Sequence, residues 1–531
     1  MKISLILKVI LLLGMSSSAR GLPKNLVALD RQLRVDLQWE GPSYSDTIYQ
    51  IQRAEQSGGP FEMLSDTATF PIYSDFVGQS GQTYYYRVRE VSAKRGSFTP
   101  LSEWTQPVSG TTRPRDRVGL IDEVMEASVR IATVGSHPHS GLTGEWVTTR
   151  GLPRRAEWKV GASGATGMGL ANYVVAAERG YLDRAKAAEM VLKALRFLDR
   201  KAERFHGAFS HWINHESGKA LPFSKFDDGG DIVETALLVQ GIIIARQYFT
   251  NDSAVERELR ETANKIWREV DWNWYRKDGS AALSWHWSPK HGWKMNMQVK
   301  GFNESEILYI LGMASPTNAI PVSSYFEGWR GDYFGHERNH FGTRLELGRG
   351  LGGCTFWYYY SYLGLDPCEM IYKGRSYRDH FRDLCTVQIN SMRSQAKHYR
   401  GYDQLWGLTA APGPDGYSGF KPGKLDNGTI VPAASLSAYL YAPEASRQSL
   451  ETMYYQHGNK IWQEFGFVES FNLTRNWQHS GYLGIDAGPV APMLENYRTG
   501  LLWKLFMNAP EIRTAMKKLK SDPRWNLQTK Q

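Results

Sequence analysis

Three groups of acidic residues stand where the chain turns into apolar, helix-like stretches. The first is Phe226-Asp227-Asp228-Gly229-Gly230-Asp231-Ile232-Val233-Glu234. Asp231 and Glu234 are three apart, so a helix beginning there carries both carboxylates on one face, and the two glycines let Asp227 turn back toward them. The second is Gly301-Phe302-Asn303-Glu304-Ser305-Glu306, leading into Ile307-Leu308-Tyr309-Ile310-Leu311. A carboxyl at the mouth of so apolar a helix is partly desolvated and keeps its proton near neutral pH, as a general acid must, and Glu306 faces elsewhere. The third is Gly484-Ile485-Asp486-Ala487-Gly488-Pro489, an exposed turn ahead of a helix. Taken singly, each acid also reads as a helix cap, because the first turn favours carboxylates. Taken together, separated carboxylates at helix starts fit the acid and base of glycoside cleavage.

His336-Glu337-Arg338-Asn339-His340 spells the zinc-hydrolase string HExxH and competes with that reading. Gly335 and Gly342 bracket it, no long helix surrounds it, and Thr343 and Glu346 take the places of the metzincin glycine and third histidine. The reading taken is therefore without metal or cofactor, with His340 left to meet a sugar hydroxyl, a carboxylate or a structural partner. Trp285-His286-Trp287, Asp403-Gln404-Leu405-Trp406-Gly407 and Trp477 combine rings with hydrogen-bonding groups in loop-like stretches, as sugar subsites do, and each equally suits packing; Tyr417, Asn472 and Asn496 are further substrate-binding candidates. No phosphate-binding loop, dinucleotide fingerprint or Gly-x-Ser-x-Gly elbow with a triad accompanies them.

The elements that must position these groups change character near residue 113. Leu33–Trp39, Ile48–Arg53 and Gln82–Arg89 alternate with period two, which predicts a half-buried antiparallel sandwich over residues 22–113. Trp39 and the Tyr84 to Tyr86 cluster within it resemble the buried tryptophan and tyrosine corner of a fibronectin type III domain. After Thr111-Thr112-Arg113-Pro114 the spacing is helical, with helices expected over 182–202, 231–249, 252–270, 304–313, 377–397, 443–457 and 489–506. Helices separated by long Gly-, Trp-, Tyr- and His-rich loops fit a toroid of paired helices with function in the loops at one end.

Composition narrows the classes. The 531 residues carry 42% hydrophobic and 22% charged side chains, enough apolar material for a large core, and a scattered excess of nine positive charges that makes no nucleic-acid footprint. Eighteen Trp and 28 Tyr suit sugar stacking as well as core packing. Residues 1–20 read as a signal peptide cleaved near Ala19, which predicts export to the periplasm or beyond, and no later run is long enough to span a membrane. Cys354, Cys368 and Cys385 allow one disulfide at most and show no CxxC spacing.

The segments Gly301-Phe302-Asn303-Glu304 with Ala314-Ser315-Pro316-Thr317, Tyr358–Pro367, Trp406–Ala410, Gly413–Tyr417, Gly428–Pro432, Phe471–Thr474, Gly484–Pro489 and Glu495–Trp503 together resemble the glycoamylase-like domain, and within it the bacterial endo-β-1,2-glucanases. The resemblance implies an (α/α)6 toroid over residues 115–531 behind the all-β, fibronectin type III-like sandwich. It also implies an inverting mechanism without metal and a cleft for β-1,2-linked glucan. The family's general acid falls on Glu304 and its other essential acids on Asp227, Asp231, Glu234 and Asp486; Asp486 is preferred as the group that activates water, with Asp231 second. The chain departs from the family pattern at Glu306, at Asn318 and at 335–340. A hydrolase of another glucan and a non-catalytic glycan-binding protein are the alternatives, and the sandwich is expected to dock to the toroid or to another protein.

Overall fold

In the computed structural model, residues 23–94, 97–152, 154–331 and 334–527 are described; the expected signal peptide lies outside them. Two antiparallel sheets come first. One orders Lys24–Arg31, Arg34–Glu40 and Ile72–Phe76; the other orders Glu62–Met63, Thr47–Ala54, Thr83–Lys94 and Ser97–Pro100, with Val108–Thr111 also on Thr83–Lys94. Their alternating inward residues Val35, Leu37, Trp39, Tyr49, Ile51, Tyr73, Tyr86 and Val88 form one core. Trp39 meets Tyr49 edge to face at 5.0 Å. The Tyr86 hydroxyl donates to Asp75 at 2.9 Å.

From Leu120 onward helices dominate. The expected helices are Arg184–Arg200, Ile232–Tyr248, Ala254–Arg268, Glu306–Ala314, Tyr377–Ser394 and Pro443–Ile461, while the last expected helix is two, Val490–Thr499 and Leu501–Met507. Gly500 divides them in the left-handed region at φ +67°, which ends one helix and re-aims the next. Hydrophobic periodicity does not mark the helix Ser163–Glu178, which is buried on nearly every side and so has no polar face to set a period. This helix crosses Ile232–Tyr248 at Gly167 and Gly241, where an added Cβ on Gly241 would lie 2.0 Å from the Gly167 carbonyl oxygen. No side chain fits at that crossing, so the two backbones touch. Among the described residues no helix is long and apolar enough to cross a membrane.

The sheets seat on the helices through a buried ionic network. Arg34, 1% exposed, pairs with Asp36 at 3.0 Å and Glu123 at 2.6 Å and lies over the Trp462 ring at 4.5 Å. Arg130 reaches Asp36 at 3.0 Å, and Glu464 accepts from Arg150 at 2.9 Å and from the Ser74 amide at 3.3 Å. Beside it, Phe70 and Ile72 pack on Ile131, Val147, Phe465 and Tyr482. Removing one member leaves its partners in a dry interface with part of their compensating charge lost. Arg34→Ala is expected to cost about 3–5 kcal/mol in a denaturant-unfolding measurement, far more than an exposed arginine would.

Candidate active site

The N-terminal ends of several helices meet at one cavity of about 380 Å³. Gly230-Asp231 pairs antiparallel with His286-Trp287, and the Ile232 amide donates to the Trp285 carbonyl at 3.1 Å, so Asp231 starts its helix directly beside Trp285 and His286. Asp231 is the N-cap: its Oδ1 accepts from the Val233 and Glu234 amides at 3.0 and 2.9 Å. Its Oδ2 faces His211 Nδ1 at 3.4 Å, His286 Nε2 at 3.5 Å and Trp285 Nε1 at 3.3 Å. One carboxylate therefore serves both readings drawn from the sequence. Glu234 accepts from the Gly164 amide at 2.9 Å, at the opening of the neighbouring helix. The glycines before Asp231 are required for closeness and not for a left-handed turn, since a Cβ on Gly230 would stand 2.0 Å from the Tyr275 hydroxyl and one on Gly229 2.3 Å from the Trp287 carbonyl.

Glu304 precedes the helix Glu306–Ala314, whose N-cap is Ser305. Ser361 Oγ donates to the Glu304 carbonyl and accepts from the Ile307 amide. The adjacent Tyr360 donates its hydroxyl to Asp486 Oδ1 at 2.5 Å. A single dipeptide thus ties the backbone of one acid to the side chain of another. Asp486 lies inside the short helix Gly484–Ala487 and is not its cap. The Gly484 amide donates to the Glu145 carbonyl at 2.9 Å and Leu483 pairs with Trp146, which sets Glu145 against Asp486. Trp146, Trp212, Phe223, Trp285, Phe356 and Tyr417 complete the wall with ring surface.

Burial governs the charges. It pushes Glu304 up to about 7, helped by Glu234 and Asp231. Burial, with the neighbouring acids Asp231 for Asp227 and Asp231 and Glu145 for Glu234, raises both of those carboxyls as well. Burial raises Asp486 to about 6 against the Tyr360 and Glu469 hydrogen bonds. Asp231 goes the other way: burial opposes its charge, but His211 and His286 hold it below the usual range. For His211 burial opposes the imidazolium, and Glu234, Asp231 and Glu145 override it and lift the ring to about 10. His211, Asp227 and Asp231 also approach one another as metal ligands do, but a protonated Nδ1 has no lone pair to give, so a cation there must first displace that proton.

The structure brings Asp227, Asp231, Glu234, Glu304 and Asp486 to this region, Asp227 through His286 at 3.4 Å, with Trp285 and Tyr417 on the cavity wall. The other expected binding residues stand elsewhere. Trp406 is core, 2% exposed. The Asn472 amide holds the Asn427 carbonyl and the Arg475 amide, and Asn496 holds the Leu363 carbonyl and the Leu502 amide, so both are consumed in backbone support. Trp287 packs with His206 and Trp274, and Trp477 lies near His479 on a two-residue strand. His340 ends the strand Gly335–His340, which pairs with Thr343–Leu347; a strand sets residues four apart about 13 Å apart, and the zinc motif requires one helical turn. The side chain of His336 lies outside the described residues. Glu306 is fully buried and accepts from Tyr325, Tyr362 and Tyr377, away from the cavity as expected. Sequence reasoning missed Glu145, His211 and Glu469. His211 repeats the pattern of His286, a histidine beside tryptophan in a loop, and Glu469 is a lone acid in the apolar run Phe465–Phe471.

Comparison with known proteins places the chain among glucan hydrolases. Residues 296–510 match the Glycoamylase family model, described as "Putative glucoamylase". The exo β-1,2-glucooligosaccharide sophorohydrolase (non-reducing end) of Parabacteroides distasonis is 34% identical over 529 residues, covering 95% of this chain and 72% of its own. A crystal structure of a β-1,2-glucanase from the same organism superposes with a TM-score of 0.88 at 34% identity, over 95% of this chain and 74% of that one. The endo-β-1,2-glucanase of Chitinophaga pinensis, solved with sophorotriose and glucose, gives 0.73 at 39% identity, over 76% of this chain and 98% of its own.

The close packing before Asp231 makes Gly230→Ala a sensitive probe of the site. It is expected to cost about 1–3 kcal/mol in unfolding measurements and, by moving Asp231, to lower turnover by roughly tenfold or more.

Proposed function

This chain belongs to the glycoamylase-like family of the bacterial β-1,2-glucanases, and on that footing we propose that it hydrolyses β-1,2-glucan with Glu304 as general acid and Asp486 as general base. The observation that carries the proposal is that these two carboxyls line one ring-walled cavity while burial holds both within a unit or so of neutral pH. Glu304, protonated, gives its proton to the leaving glycosidic oxygen, directly or through a substrate hydroxyl. Asp486, ionised, draws a proton from the water that attacks the anomeric carbon from the opposite face, which inverts the configuration. Asp231, fixed by two amides and flanked by imidazoles, stays ionised and holds His211, which lines the cavity, as a cation beside the acids. In this reading residues 115–531 form an (α/α)6 toroid, residues 22–113 a fibronectin type III-like sandwich, and the leader directs export.

Release from a chain end is the finer reading. The sophorohydrolase covers 95% of this chain, whereas the Chitinophaga endo enzyme matches nearly its whole length within 76% of it, a shortfall about the size of the N-terminal sheets. Those sheets pack on Val147 and Tyr482, next to the cavity residues Trp146 and Leu483, and a wall at that end favours a terminus over a passing chain.

Linear β-1,2-glucooligosaccharides of defined length are expected to yield sophorose in steps from the non-reducing end; mixed products identify endo action, faster release from another linkage identifies a different glucan, and binding without product identifies a non-catalytic protein. Glu304→Gln and Asp486→Asn are each expected to lower kcat by roughly 10²–10⁴ with the fold intact.

The pH profile follows from the two carboxyls. Activity falls below about 6 as Asp486 takes up its proton and above about 7 as Glu304 loses its own, giving a narrow bell in kcat/KM between them. Glu304→Gln is expected to abolish the alkaline limb.

A further inference from the structure

Asp486 has a second acid against it that the mechanism above does not use. Glu469 is 3% exposed, and its Oε2 accepts from the Leu483 amide at 2.7 Å. Its Oε1 is buried and meets no N–H or hydroxyl donor among the described residues, while its carboxyl lies in hydrogen-bond contact with that of Asp486. Two ionised carboxylates in a dry site repel strongly, and one proton between them turns that repulsion into a hydrogen bond.

The surroundings of the two carboxyls decide which acid keeps the proton. Whichever is ionised receives the shared proton and one further donor, the Tyr360 hydroxyl at 2.5 Å for Asp486 or the Leu483 amide at 2.7 Å for Glu469, but Asp486 also lines the cavity, where water reaches it, and Glu469 does not. The other titratable groups bearing on Asp486 or Glu469, namely Glu145, Tyr359, Tyr417 and Cys354, are acids or neutral groups and add no cation. The better-solvated charge is on Asp486.

We propose that Glu469 is a positioning residue that holds a proton of its own throughout turnover and, anchored on the Leu483 amide, donates it as a hydrogen bond that keeps Asp486 ionised and aimed into the cavity. In the reaction the O–H bond of the attacking water breaks, its proton passes to Asp486 and its oxygen bonds the anomeric carbon, while the glycosidic C–O bond breaks, its electron pair stays on the leaving oxygen, and that oxygen takes the proton of Glu304. Glu469 neither gains nor loses a proton in that balance. The proposal rests on Asp486 being the base.

The test compares pH profiles of Glu469→Leu, Glu469→Gln and Asp486→Asn on β-1,2-glucan, with thermal melts as the check on folding. Glu469→Leu removes the donor: kcat is expected to fall roughly tenfold to hundredfold at near-constant KM, and the acidic limb to move up by about one pH unit. Glu469→Gln offers an amide N–H to Asp486 and an oxygen to Leu483, and is expected to bring the limb back and recover most of kcat. A Leu variant with an unmoved limb, or a Gln variant as inactive as Asp486→Asn, overturns the proposal. If the Leu variant fails to fold, the Gln variant decides alone. Full turnover in Asp486→Asn overturns the base assignment itself, whatever Glu469 does.

Discussion

The whole arrangement depends on placing seven acids together: Glu145, Glu234, Glu304 and Asp486 line one hollow whose walls are largely aromatic and aliphatic, and Asp227, Asp231 and Glu469 stand behind them. Seven carboxylates could not remain ionised there, because low dielectric strengthens their repulsion while burial removes the water that would solvate each. Four devices relieve this. Helix N-termini supply amides to Asp231 and Glu234, the imidazolium of His211 supplies a cation shared by Asp231, Glu234 and Glu145, Tyr360 supplies a hydroxyl to Asp486, and burial raises Asp227, Glu304 and Glu469 so that they take up protons more readily. The charge states follow from that uneven relief. Burial pushes Glu304 up to about 7, whereas amides and imidazoles hold Asp231 below the usual range, and the roles proposed above draw on that division.

Such a site needs its walls fixed more tightly than loops alone can fix them. Two-residue strands do much of this: Gly230-Asp231 against His286-Trp287, and Trp146-Val147 against Tyr482-Leu483. Each bridge joins segments far apart in the chain and brings an acid to a ring or to a second acid. Tyr360 and Ser361 span the Asp486 and Glu304 segments directly. Behind them the bare backbone crossing at Gly167 and Gly241 sets the distance between the two helices that carry the Gly164 amide and the Glu234 carboxylate. A displacement at any of these contacts moves a carboxyl relative to its compensating charge, so position and protonation state change together.

Much of this was legible in the sequence where the signal was local. Period-two alternation marked the sheets, amphipathic spacing marked most helices, and acids at helix mouths marked the five carboxylates that do converge. The helix Ser163–Glu178 was not legible, because periodicity reports a polar face and this helix has almost none. Asn472, Asn496 and Trp406 lay in motif-like strings of amides and rings, yet their polar groups or surfaces are spent inside the fold; a sequence shows residue type and not which side of a wall the residue faces. Glu145, His211 and Glu469 escaped for the opposite reason. Each is a single polar residue in an apolar loop, and its meaning comes only from a strand bridge or carboxyl contact made by distant residues.

The N-terminal sheets belong to the same argument. A tethered module would meet its neighbour through a modest polar surface, free to shift. Here the contact contains Arg34, Asp36, Arg130 and Glu464, all nearly inaccessible, and separating the sheets from the helices breaks ion pairs made in a dry interface. Alongside, Thr69 takes the Thr149 and Thr148 carbonyls through its amide and hydroxyl at 2.9 and 2.6 Å, and the Gly151 amide returns a bond to Thr67. Those bonds grip the segment that follows Glu145 and Trp146, the same segment that pairs with Tyr482-Leu483 ahead of Asp486. These contacts run through one short strand to the cavity wall and to Asp486, which makes the N-terminal sheets a structural part of the site and not a spacer beside it.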